Sequence, residues 1–305
     1  MRARVVMILA ILVTIVSGVV TVPAAYARIK ANGNKAVSAT FHAVSHTLQT
    51  AVQAMPPPPI LKSGPVTVQH QGFWSWALLD RKTNELTGSS NRATATNSTE
   101  SMVKIWLVSD FLRRTAESGK TPTPEQLALT STAIRDSNDN SAQKLYIADG
   151  GNASIQRLIK ACGLTHTTVY SGWWSRTQMS AEDAVKMGLC VADGRAAGPQ
   201  WTKYVLSEMR QVRGGVKDQP PGFEPTGGGR WGIIDGLPAD VVPTVSIKNG
   251  WTPLKDGLWH VNCLAVQDEF VLAVQVRYPI SKGLQYGADV CRSVTQQLVH
   301  NAEAS

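Results

Sequence analysis

Strand-forming segments stand at both ends of the folded part of this chain, and helix-forming segments fill the middle. "GFWSWALLD" and "ELTGSSNRA" flank the turn Arg81-Lys82-Thr83-Asn84 and read as a hairpin. Far downstream, "VVPTVSIKNG", "GLWHVNCLAV" and "EFVLAVQVRYP" carry the β-branched alternation of three strands, and a helix is expected from Leu284 to about Asn301. Between these groups lie helix signals. Ser101 to about Glu117 is strongly apolar with Gly119 beyond it. "TPTPEQLALTSTAIRD" has Thr123 as cap, Pro124 in the first turn and Gln126 to complete a capping box. Asn140 to Ile147, Ile155 to Ala161 (closed by Gly163) and Ser180 to Val191 (opened by "SAED") follow. "QVRGGVKDQPPGFEPTGGGRWG" reads as a loop. Strands so far apart in sequence bury their apolar faces together by forming one sheet. The pattern predicts an α+β fold, an antiparallel sheet flanked by helices with an inserted all-helical lobe.

The N-terminus reads as an export segment. Arg2 and Arg4 precede an uncharged apolar run from Val5 to Val22, and Ala25-Tyr26-Ala27 has the small-x-small form that signal peptidase cuts. The run is also long enough to span a bilayer, so residues 1–27 are a signal peptide or an N-terminal membrane anchor. Residues 28–64, with "MPPPPILKSGP", form a Pro-rich linker, and the folded domain is expected over 65–305. His42 and His46 stand at helical metal-pair spacing but bring no third ligand, so no metal or cofactor is expected. Four cysteines and no C-x-x-C suit an exported chain with two disulfides. Cys162–Cys190 with Cys263–Cys291 is the favoured pairing because each joins neighbouring elements; sequence leaves the other two pairings open. The net charge of +8 is diffuse and not interleaved with aromatics, which argues against nucleic acid and fits anionic envelope polymers.

Three polar stations are set along this framework. Ser101 and Lys104 share one helix face, so the lysine amine is expected to reach the serine hydroxyl. A serine needs a base to become a nucleophile, and a lysine serves only when neutral, which burial and the nearby cation Lys248 would favour. The helix start adds N–H groups where an oxyanion would develop. The second station is Ser137-Asn138-Asp139-Asn140, in a loop between helices, and the third is Lys248-Asn249-Gly250, at a strand end. Gly250 would let substrate backbone pair as an added strand.

Ser101-x-x-Lys104, then Ser137-Asn138-Asp139-Asn140, then Lys248-Asn249-Gly250 follow the order S-x-x-K, S-x-N or S-D-N, K-T-G and so resemble the serine β-lactamase and penicillin-binding protein superfamily, closest to its class A β-lactamase branch, over about Val66 to Val299. The resemblance implies Ser101 as nucleophile, Lys104 as its base, Ser137 as proton relay and Lys248 as carboxylate anchor. It further implies that Asp139, Asn140, Asn249 and Gly250 contact a β-lactam or a peptidoglycan peptide. Asp139 stands where the family has asparagine; in the alternative register Asn138 replaces the serine. Asn249 replaces the family's hydroxyl residue, and the E-x-x-L-N loop that supplies the class A deacylating base has no counterpart in "GLTHTTVYSGWWSRTQMSAEDAVKM". Glu182 and His166 are the nearby groups that could act as a base. The expected activity is therefore an exported serine hydrolase that forms an acyl-enzyme and clears it slowly. The competing reading is a binding module that keeps the fold without turnover; a third is an esterase using the same serine and lysine.

Overall fold

The computed structural model of the protein describes residues 59–218 and 227–299. The expectations for residues 1–58, including the signal or anchor and the His42/His46 pair, lie outside the described residues. Among the described residues no helix is long and apolar enough to cross a membrane. Leu61, placed in the linker by sequence, is buried and bridges Val299, so folded contacts start ahead of residue 65.

The main sheet contains β1 (Phe73–Asp80), β2 (Leu86–Gly88), β6 (Ser246–Ile247), β7 (Gly250–Pro253), β8 (Leu258–Val266) and β9 (Phe270–Pro279). Its order is β2-β1-β9-β8-β6, with β7 also on β8, and every pairing is antiparallel. Strands from both ends of the domain therefore interleave, β1 lying against β9. A small sheet, β3-β5-β4, joins β3 (Thr96–Ser98), β4 (Thr167–Thr168) and β5 (Gln178–Ser180). The fold is mixed helix and antiparallel sheet, as the sequence pattern implies.

The helices are α1 (Lys104–Glu117), α2 (Pro124–Arg135), α3 (Asp139–Ala148), α4 (Asn152–Cys162), α5 (Ala181–Ala192), α6 (Gly198–Arg210) and α7 (Gly283–Leu298). The first is buried continuously from Lys104 to Leu112, with Ile105, Trp106, Leu107, Val108 and Leu112 in the core, which makes it the central helix. Each such side chain contributes about 1.5–3 kcal/mol by leaving water. The capping box at Thr123 and Gln126 forms on both sides. Ser180 caps α5 by accepting from the Asp183 N–H. The bonds Cys162–Cys190 and Cys263–Cys291 tie α4 to α5 and β8 to α7, the favoured pairing.

Two differences matter for the site. Ser101 is not on the α-helix: residues Glu100–Val103 form a 3₁₀ turn, and α1 begins at Lys104. Glu100 holds a left-handed φ of 48°, which cannot continue a right-handed helix. The expected strand through "VVPTVSIKNG" is split, with Lys248 and Asn249 lying between β6 and β7. The helix α6 was not read from sequence.

Candidate active site

All three stations meet at the start of α1. Ser101 sits on the 3₁₀ turn, braced from below by Asn262, whose side-chain amide donates to Ser98 O at 2.8 Å and Thr99 O at 3.3 Å. From the side, β7 presses on the same turn. A Cβ at Gly250 would overlap Thr99 O and lie 2.8 Å from Ser101 N and 2.6 Å from Met102 N. The glycine is thus required by the close approach of the nucleophile turn itself; sequence had assigned it to approaching substrate. Beside Ser101 opens a cleft of about 290 Å³, lined also by Asp139, Asn140, Trp173, Trp174, Trp251 and Thr252.

The two lysines converge behind it. Lys104 is fully buried, and its amine donates to Ser137 O, to Asp139 Oδ1 at 2.5 Å and to Ser137 Oγ at 3.4 Å. Lys248, also fully buried, donates to Ser137 Oγ at 2.8 Å and Asn249 O at 3.1 Å. Ser137 therefore links the amines, on a left-handed φ of 56°. Asn138 caps α3 by accepting from the Ser141 N–H at 2.9 Å, so the hydroxyl that reaches both amines belongs to the Ser137 register. The Trp174 ring lies 5.1 Å from the Lys104 amine and excludes water there.

Burial pulls the Lys104 amine down to about 8 against the upward pull of Asp139. For Lys248, burial and then the neighbouring Lys104 charge hold the amine well below the usual lysine range. The sequence reading named burial and the Lys248 cation together; burial is what lowers Lys104, and Lys248 is itself depressed by Lys104.

Several expected contacts take another form. Among the described residues no hydrogen bond reaches Ser101 Oγ; the Lys104 amine is drawn to Asp139 and Ser137. Asn249 donates its amide protons to Gly229 O at 3.0 Å and Trp231 O at 2.8 Å and is buried, so it braces the preceding loop. Lys248 does not line the cleft, and neither do Glu182 and His166. Glu182 pairs with Lys186 at 3.1 Å, and His166 lends its backbone N–H to Asp183. Trp231 packs edge-on against Trp251 in the core, whereas Trp173 is exposed at the cleft. Glu100 was missed by sequence reasoning. It is adjacent to Ser101 and buried, with Oε1 2.6 Å from Ser98 Oγ and Oε2 2.7 Å from Thr252 Oγ1. Among the described residues no cluster of His, Cys, Asp and Glu could hold a metal ion.

No family model matches the chain. It is 28% identical over 211 residues to the Mycobacterium tuberculosis protein named "Putative lipoprotein LppW", a match that takes in 67% of this chain and 63% of that one. The same values hold for its Mycobacterium bovis counterpart. The chain therefore spans less than two thirds of the curated relatives it matches. Among solved structures it is similar to a β-lactamase of Desulfarculus baarsii, with a TM-score of 0.55 and 15% identity over 75% of this chain and 93% of that one. A class A β-lactamase of Mycobacterium abscessus gives the same TM-score and identity, over 74% of this chain and 94% of that one. The chain has the fold of the class A β-lactamases.

Proposed function

We propose that this protein is an exported serine hydrolase whose Ser101 is acylated by β-lactams or by D-alanyl peptides of the cell wall. The observation that carries the reading is the meeting of two buried lysine amines on Ser137 Oγ behind the cleft that Ser101 lines. Ser101 Oγ attacks the substrate carbonyl carbon while its proton passes to the neutral amine of Lys104. The C–N bond then breaks, and the proton moves through Ser137 Oγ to the leaving nitrogen. Lys248 supports the hydroxyl of Ser137 from its other side; its depressed, buried amine argues against service as a substrate anchor. Asp139 must release the Lys104 amine for it to accept a proton. Two carboxylates line the cleft, and both are engaged, Asp139 with Lys104 and Glu100 with Ser98 and Thr252. That arrangement supports slow hydrolysis of the acyl-enzyme. Two disulfides suit an exported chain, and the curated relative is named as a lipoprotein, which supports an envelope setting.

Intact-mass spectrometry after exposure to a labelled penicillin tests the proposal. One adduct is expected, persisting for many minutes and absent in Ser101→Ala. Failure of every β-lactam tried and of D-alanyl peptides to modify Ser101 would leave the fold as a binding module.

A further inference from the structure

A line of hydrogen bonds runs from solvent to the residue beside Ser101. Asp256 Oδ2, on a half-exposed side chain, meets His260 Nε2 at 2.8 Å. His260 Nδ1 meets Ser98 Oγ at 2.8 Å, Ser98 Oγ meets Glu100 Oε1 at 2.6 Å, and Glu100 Oε2 meets Thr252 Oγ1 at 2.7 Å. Ser98, Glu100 and His260 are all buried. The line ties β8, β3, the 3₁₀ turn and β7 together around the backbone that presents Ser101.

These four contacts need four protons. The two hydroxyls supply one each, that of Thr252 being shared between Glu100 Oε2 and Trp251 O at 2.6 Å, and a neutral imidazole supplies a third, placed on Nε2 by the Asp256 carboxylate. The fourth must sit on Glu100 or on His260 Nδ1. On His260 it would create a buried imidazolium and a buried carboxylate; on Glu100 it leaves Asp256 as the one charge of the line, near solvent. Burying two charges costs more than their attraction returns unless both are well solvated by other groups. We propose that Glu100 is a neutral carboxylic acid, supplied with its proton through Asp256, His260 and Ser98, and that it acts as a positioning residue clasping the Ser101 turn to β7. This rests on the hydrolase reading for its catalytic consequence alone.

The surrounding charges agree. Burial is the largest influence on Glu100 and raises it, Asp139 adds to the rise, and Arg176 with the two hydroxyls opposes it. A charge on Glu100 would raise Lys104, so a charged Lys104 opposes the neutral acid, and burial outweighs it. Burial is likewise the largest influence on His260 and lowers it, helped by Arg277 and Arg176 and opposed by Asp256. A neutral acid donates to Ser98 and accepts from Thr252, a pattern that glutamine reproduces with its amide. Ionised Glu100 would instead put a negative charge beside the N–H group of Ser101, where an oxyanion would form.

The test is made on the full chain with ¹⁵N-labelled histidine, His260 being identified by its loss in His260→Gln. Between about pH 6 and pH 8 the expected spectrum is a neutral ring with its proton on Nε2. A doubly protonated ring, or a proton on Nδ1, would overturn the proposal. With a labelled penicillin, Glu100→Gln should acylate within about threefold of the parent and lack the alkaline fall that ionisation of Glu100 is expected to give the parent, while Glu100→Ala should lose about tenfold or more. A loss in Glu100→Gln as large as in Glu100→Ala would refute the clasp, provided the Gln variant keeps the His260 signal of the folded chain. Should the parent form no adduct with any β-lactam, the hydrolase reading fails; the ring spectrum still decides the state of Glu100.

Discussion

Replacing Asp139 with asparagine is expected to make Ser101 react faster at neutral pH. Asp139 Oδ1 lies 2.5 Å from the Lys104 amine and is the main influence raising it, while burial brings it down to about 8. With an amine of that strength, roughly a tenth of the molecules hold Lys104 neutral at pH 7. The Asp139 side chain is 46% exposed, so its effect is screened. Even with the dielectric of bulk water the Coulomb interaction at this distance is about 1.7 kcal/mol, or about 1 pK unit, and a drier environment enlarges it. Asp139→Asn should therefore move the acidic limb of the acylation profile down by about 1–2 units. Acylation at pH 7 should rise about five- to tenfold. Stopped-flow measurement with a fluorescent penicillin across the pH range reads this directly. A midpoint that stays put or moves upward would refute the claim that Asp139 holds Lys104 in its charged form.

Gly250→Ala should abolish acylation and cost about 1–3 kcal/mol in denaturant unfolding, because its Cβ meets backbone on the nucleophile turn, which cannot swing aside. Asp149 is buried, its Oδ2 finds no partner, and burial and then Asp110 push it up to about 8. A raised carboxyl contributes stability below its unfolded value near 3.8 and loses it as pH climbs through about 8. Asp149→Asn should thus stabilise by about 1–3 kcal/mol in thermal melts at pH 9 and by less at pH 4; equal effects at both would contradict this. Each disulfide closes a 28-residue separation, and loop entropy puts its contribution at about 3.6 kcal/mol. Replacing Cys263 and Cys291 with serine should lower the unfolding midpoint accordingly.

What the sequence discloses about this fold is local. The Thr123 box, the hairpin and the long C-terminal strands follow from neighbours within a few positions, and the structure holds them all. The helix α6 escaped because Gly198-Pro199 resembles a loop, although proline belongs in a first turn. Its Glu208 is buried through pairing with Arg135 at 2.6 Å, a partner in α2 that no periodicity discloses. At the site, residue types and order were legible, but which group each side chain touches was not. The direction of Lys104 depends on a carboxylate 35 positions away, and that of Glu100 on a hydroxyl 152 positions away. Asn249 looked available because the Gly229 and Trp231 carbonyls that hold it lie in a loop with no pattern.

Three non-glycine residues among those described have left-handed backbones, and two of them, Glu100 and Ser137, flank the reactive cleft. Such backbone conformations cost about 1–3 kcal/mol each. Among the described residues, left-handed non-glycine torsions are therefore concentrated where the chemistry would occur. Laboratory selection for heat resistance alone would find glycine at 137 attractive, since it relaxes the torsion while deleting the hydroxyl between the amines. Robustness and reactivity pull this chain in opposite directions at the same peptide unit.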